Sequence, residues 1–260
     1  MSRGPEPPVP GPLLFARFAY PPNELGLCGP DAHRELLERA DASVEDGDLR
    51  RLAMAFEGAW PYLELIAHEH GIADPLDARV VEAYWIGNPF LRDVGIGAVG
   101  DSLEQRFRRA VSTRWPHLVE LALAGARPHH NFHVFCVYPW VGLLRTGATD
   151  HALHVLERCR IRPGRVLQVQ GPEALVRTRP LTWDGARLGL GPPRVDPARV
   201  GDAGYHLDRR IACGDVVALH WDWACARLDE RQARALRAET ARQLAFVNAL
   251  TLPAPAVVIG

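Results

Sequence analysis

The chain has 260 residues and a mass of 28.7 kDa, 47% apolar and 23% charged, enough for a sizeable core in one large domain or two small ones. A net charge of -1 and an isoelectric point near 6.8 exclude any global electrostatic case for nucleic acid or an anionic membrane. No apolar run approaches the ~20 residues of a membrane span, and the opening MSRGPEPPVPGP lacks the apolar stretch of a signal peptide. A cytoplasmic protein is expected.

All 30 basic residues are arginine. With the abundant Ala, Gly and Pro, this reads as high-GC coding bias, so arginine number alone is no evidence for phosphate binding. The lack of lysine excludes a Schiff-base lysine and a Walker-type phosphate lysine. The five cysteines, Cys28, Cys136, Cys159, Cys213 and Cys225, are odd in number and contain no CxxC pair. They support neither a zinc ribbon nor a disulfide framework, and fit a reducing compartment.

In chain order, residues 1–12 are Pro- and Gly-rich and are expected to form a disordered tail. Residues 13–154 read as a mainly helical domain. Asp31 is the expected cap of a helix through Ala40, with Glu35 near its first turn. Asp48 is the expected cap of the next, which buries Leu49, Leu52, Ala53 and Phe56 and ends near Trp60-Pro61. Tyr62, Leu63, Leu65 and Ile66 continue helically to a stop at Gly71. Pro75 fits the first turn of a helix through Ile86, closed by Gly87-Asn88-Pro89. Helices are also expected at Ser102 to Val111 and Pro116 to Ala124, whereas His133 to Leu144 suits either a strand or a helix.

The texture changes near Arg158. Arg165 to Val169, Ala174 to Leu181, Arg187 to Leu190 and Asp215 to Trp221 read as strands, with a turn at Trp183-Asp184-Gly185. Asp229 is the expected cap of a final helix to about Asn248, and 251–260 reads as a tail. The fold class is therefore α+β: an N-terminal helical domain, then a small β-barrel with a C-terminal helix over 155–250.

Two stretches of the C-terminal third carry a resemblance. One is Cys159-Arg160-Ile161-Arg162-Pro163-Gly164-Arg165-Val166; the other is Gly214-Asp215-Val216-Val217-Ala218-Leu219-His220-Trp221-Asp222-Trp223-Ala224. Leu228-Asp229-Glu230 with Ala233 follows as the acidic start of a closing helix. In order and spacing these resemble the HypC family of [NiFe]-hydrogenase assembly chaperones. The resemblance implies an OB-like barrel and a chaperone or carrier rather than an enzyme. It also implies an iron centre ligated by cyanide and carbon monoxide, held transiently through Cys159. Implied partners are an iron-sulfur scaffold protein and the hydrogenase large-subunit precursor. Pro163, Gly164, His220, Trp221 and Trp223 would then belong to the partner-binding surface. Cys159 departs from the family's pattern in being internal, with no free α-amino group beside it. Arg158, Arg160 and Arg162 are expected to supply positive charge that lowers its pKa.

The N-terminal part concentrates its chemistry in Pro128-His129-His130-Asn131-Phe132-His133-Val134-Phe135-Cys136. In a helix, His129, His133 and Cys136 would share a side, a plausible zinc or iron ligand set. His130 and Cys28 are possible accessories. Two further readings stay open. One is a metal-dependent enzyme using this cluster, with Glu57 or Glu64 as acid/base. The other is a regulatory protein that docks partners through its barrel without metal.

Overall fold

A computed structural model describes residues 9–94 and 126–250. The helices expected at Ser102 to Val111 and Pro116 to Ala124, and the tail 251–260, lie outside the described residues.

Helix α1 (Gly11–Glu24) begins inside the segment expected to be a disordered tail: Gly11 and Pro12 are buried in its first turn. A side chain at Gly11 would collide with the Leu76 carbonyl, so only glycine lets the two backbones approach this closely. Apolar residues all round α1 mark it as a central helix. Against it pack α2 (His33–Ala42), α3 (Gly47–Met54) and α5 (Ala78–Trp85), while α4 (Trp60–Glu69) and the short α6 (Phe90–Asp93) pack on α5.

Four expected helix starts shift. Ala32 rather than Asp31 precedes α2, and no side chain caps it. Asp46 caps α3 by accepting the Leu49 N–H at 2.8 Å, leaving Asp48 in the first turn. Trp60 starts α4, with Pro61 in its first turn where a missing N–H costs nothing. Asp77, not Pro75, marks the start of α5 by accepting the Arg79 N–H. The ambiguous stretch is helical: α7 (His130–Phe132) runs directly into a π-helical turn (His133–Val137), followed by α8 (Trp140–Arg145) and α9 (Thr149–Cys159).

The strands follow: β1 (Arg162–Gln170), β2 (Glu173–Thr178), β3 (Leu181–Trp183), β4 (Leu188–Leu190), β5 (Arg194–Arg199), β6 (Gly201–Asp202), β7 (Tyr205–His206), β8 (Val216–His220) and β9 (Trp223–Arg227). Five close on themselves in the order β1-β2-β5-β9-β8. All neighbours in this ring are antiparallel except β5 and β9, which meet in parallel at Arg199 and Trp223. β3–β4 and β6–β7 are separate short hairpins. Helix α10 (Glu230–Ala249) ends the described chain, capped as expected by Asp229 in a reciprocal pair with Gln232.

Val166, Val176, Val217, Leu219 and Ala224 fill the ring. The opposite faces of β8 and β9 carry Ala218, Trp223 and Cys225 into the larger core formed with the helices. The β8–β9 hairpin is thus buried on both sides, with α1 against it. Arg17 of α1 pairs with Asp208 at 3.0 Å, both nearly inaccessible, and ties the helices to the strands at a second point. The fold is α+β, and no helix among the described residues is long and apolar enough to cross a membrane.

Candidate metal centre

Three element ends meet between the helices and the ring. Cys159 is the last residue of α9, His220 the last of β8, and His130 the first of α7. One potential ligand atom from each lies within 4.8 Å of the others, and all three residues are buried. No other group of three such residues occurs among the described residues.

The ring nitrogens are sorted by the backbone. His220 Nδ1 lies 2.7 Å from the Phe18 carbonyl, which fixes the proton on Nδ1. That carbonyl is available for a reason written in the sequence. Its ordinary helical donor would be the N–H four residues on, but Pro22 has none, and neither has Pro21. His220 Nε2 is left buried with no hydrogen-bond partner. His130 Nε2 lies 2.9 Å from the Cys159 carbonyl, so Nδ1 carries its lone pair, 3.4 Å from the Tyr84 hydroxyl. His220, pinned through one nitrogen to a carbonyl with the other free, has the arrangement found at metal sites.

Burial sets the charge states. Desolvation lowers His130 to about 4 and holds His220 well below its ordinary value, so both imidazoles are neutral. Desolvation, then the neighbouring Cys28, pushes the Cys159 thiol up to about 12. The expectation that nearby arginines depress this thiol is overturned. Arg160 and Arg162 are buried and share Glu157, and Arg158 pairs with Asp222, so their charge is spent locally. A soft divalent metal fits this donor set of two neutral imidazoles and a sulfur, and its binding requires loss of the thiol proton.

The group opens on a cavity of about 590 Å³ whose walls include Phe56, Tyr84, Trp85, Tyr138, Trp140 and Trp221. Trp85 packs against both histidines, with ring centroids 4.7 Å from His130 and 5.7 Å from His220. Leu25 and Leu27, each more than half exposed, lie at its outer end. Trp221 holds a left-handed backbone, φ 51°, costly for a bulky residue by roughly 1–3 kcal/mol. Its backbone N–H bonds the Arg158 carbonyl at 2.7 Å, while its buried indole N–H has no partner.

The other sequence candidates are distributed differently. His129 lies before α7 in extended conformation, and its Nδ1 accepts the Asn131 N–H at 3.0 Å. His133 reaches the Tyr62 hydroxyl through Nδ1 at 3.1 Å and lines the cavity. Cys136 is buried in the π-helical turn, its thiol pushed up by desolvation. The expected common side for these three requires regular α-helical winding, and this segment starts after His129 and widens at His133. Cys28 lines the cavity but stands outside the three-residue group. Pro163 and Gly164 line a different cleft beside α10. Trp223 is buried, its indole N–H donating to Glu24 at 3.0 Å and its ring edge-on to Tyr20. Glu57 and Glu64 are exposed and do not line the cavity.

Residues 7–254 match DUF6390, a family of unknown function, and the chain belongs to that family. No curated protein and no solved structure matches the chain.

Proposed function

We propose that this member of DUF6390 is a metallocentre carrier of the HypC kind, which holds an iron centre for [NiFe]-hydrogenase assembly at Cys159, His220 and His130. One observation carries the reading. Cys159 and His220, two of the residues that the resemblance implies, lie far apart in sequence, yet their ligand atoms come within 4.8 Å of each other in a buried group. The ring of five strands with a closing helix is in keeping with the OB-like barrel that the resemblance implies.

The internal position of Cys159 has a structural counterpart. A cysteine that begins a chain has an amine beside its sulfur; here the imidazole of His130 stands near it. The helical half of the molecule thereby takes part in the site as a donor. Thiolate and imidazole suit a soft, low-spin iron cargo, and aromatic side chains line the cavity beside it. The cavity leaves one side of the group open for small ligands on the cargo, or for a side chain of the scaffold protein or the large-subunit precursor.

Anaerobic affinity purification from the native host, wild type beside Cys159→Ala, tests this. The expected result is co-purification of scaffold or precursor with infrared cyanide and carbonyl bands that the variant loses while keeping its circular dichroism spectrum. Absence of any hydrogenase-related partner, or full maturation by the variant, would overturn the carrier reading. A second reading, a metal-dependent enzyme, is favoured by one feature of the same group: three protein ligands beside a cavity also describe catalytic zinc sites. Stoichiometric zinc in the purified protein, without diatomic ligands, would support it.

A further inference from the structure

A second concave site lies between α10 and the β1–β2 pair. It is a cleft of about 420 Å³ whose lining contains Arg160, Arg165, Arg177, Arg179 and Arg237 and no carboxylate. Composition alone makes arginine unremarkable in this chain, so the argument rests on pairing. Arg160 is neutralised by Glu157 at 2.9 Å. The other four have no ion pair among the described residues. Arg165 donates only to the Gly214 carbonyl, and Arg179 only to the carbonyls of Gly191 and Leu190. The side chains of Arg177 and Arg237, both exposed, take part in no hydrogen bond or ion pair among the described residues. Asp196, on the neighbouring strand β5, is occupied by Arg194 and by the Thr178 hydroxyl.

The ladder register sharpens this. Arg165 and Arg177 are direct partners across β1 and β2, so two like charges stand opposite each other on one face. Such a pair destabilises a sheet unless something negative lies between. Arg179 follows two residues after Arg177 on the same side, and Arg237 reaches in from α10. Around them Pro163, Leu190 and Pro193 add an apolar lining.

We propose that this cleft binds a small molecule carrying two or more phosphates. Four uncompensated guanidinium groups around one cleft call for a dense anion. A diphosphate supplies about three negative charges within that space, whereas a single carboxylate supplies one. Planar guanidinium forks match phosphate oxygens in pairs, and the apolar lining suits the organic part of such a ligand. The site is independent of the metal centre and of the function proposed for it.

Calorimetric titration of the full chain with pyrophosphate, in roughly 0.1 M chloride to screen loose surface attraction, tests the proposal. Saturable one-to-one binding is expected, weakened roughly tenfold or more in the double variant Arg177→Gln/Arg237→Gln. Both residues are exposed, so the fold should survive. Arg234→Gln, on the same helix but paired with Glu230, should bind as the wild type does. No saturable binding at millimolar pyrophosphate would overturn the proposal, as would binding indifferent to the double variant. So would tighter, Arg177-dependent binding of an oligo-glutamate peptide, because the cleft would then serve an acidic segment of a partner.

Discussion

The segment from His129 to Cys136 and the pair Cys159 with His220 make opposite use of the same residue types. The segment packs three histidines and a cysteine into eight positions, yet the fold disperses them. His129 caps its own helix, His133 turns to Tyr62, and Cys136 goes into the core. Only His130 joins a potential ligand group, and its companions come from the ends of a distant helix and strand. Local density of ligating residues is therefore a poor guide here. What builds the site is the meeting of element ends and the backbone carbonyls that decide which ring nitrogen stays free.

The contrast can be broken most directly by removing ligands. Cys159→Ala or His220→Ala should cost at least about 100-fold in affinity for zinc or cobalt, more than the loss of an outer hydrogen bond at a metal site. Cys136→Ala should leave that affinity unchanged and show only a stability loss of roughly 1–2 kcal/mol in urea. Equal effects of the two cysteines would erase the contrast.

The tie that holds α1 against the strands comes next. Asp208→Asn removes the partner of buried Arg17 and should cost roughly 3–5 kcal/mol, measured by urea denaturation at pH 7. Burial raises the Asp208 pKa, but hydrogen bonds and charge from Arg210 and Arg17 outweigh it, and the net value is lowered. A carboxylate depressed in the folded state stabilises fully above its unfolded value of about 3.9. Its contribution drains away as pH falls below that value and through the folded one. The difference between wild type and Asp208→Asn should accordingly be flat from pH 7 to about 5 and shrink towards pH 3. A difference that grows on acidification would contradict the pairing.

Pro22→Ala isolates the carbonyl argument. It restores an N–H that competes with His220 for the Phe18 oxygen, so metal affinity should fall by roughly tenfold while helix stability holds or rises. Unchanged affinity would show that His220 needs no such anchor. Tyr84→Phe should have the smallest effect, a few-fold change, because its hydroxyl meets His130 Nδ1 at a long 3.4 Å.

Much of the frame was legible in the sequence. Asp229 and Gln232 announce the start of α10, and alternating or continuous apolar residues mark β1, β2, β4 and β8. β5 escaped because Pro197 makes Arg194 to Arg199 read as loop; the strand tolerates it because only Arg199 pairs with β9. β9 escaped because the turn before it is Trp221-Asp222, with no glycine or asparagine at the left-handed position, which Trp221 takes instead. The starts of α3 and α5 moved by two residues because more than one acidic side chain stands near each of them. At the candidate site, the sequence motifs singled out Cys159 as a ligand and His220 as part of a partner surface. Their meeting with His130 was not readable, because it depends on tertiary packing of α7 against α9 and β8. The one local clue was Pro21-Pro22, which frees a carbonyl in the middle of α1.

The central claim is that Cys159, His130 and His220 form one metal-binding group. Anaerobic titration of the full chain with cobalt(II), followed by optical absorption, tests it most directly. The account predicts one cobalt per chain and a thiolate-to-cobalt charge-transfer band that Cys159→Ala abolishes and Cys136→Ala retains. A chain that binds no cobalt, or a band that depends on Cys136 and survives loss of Cys159, would contradict it.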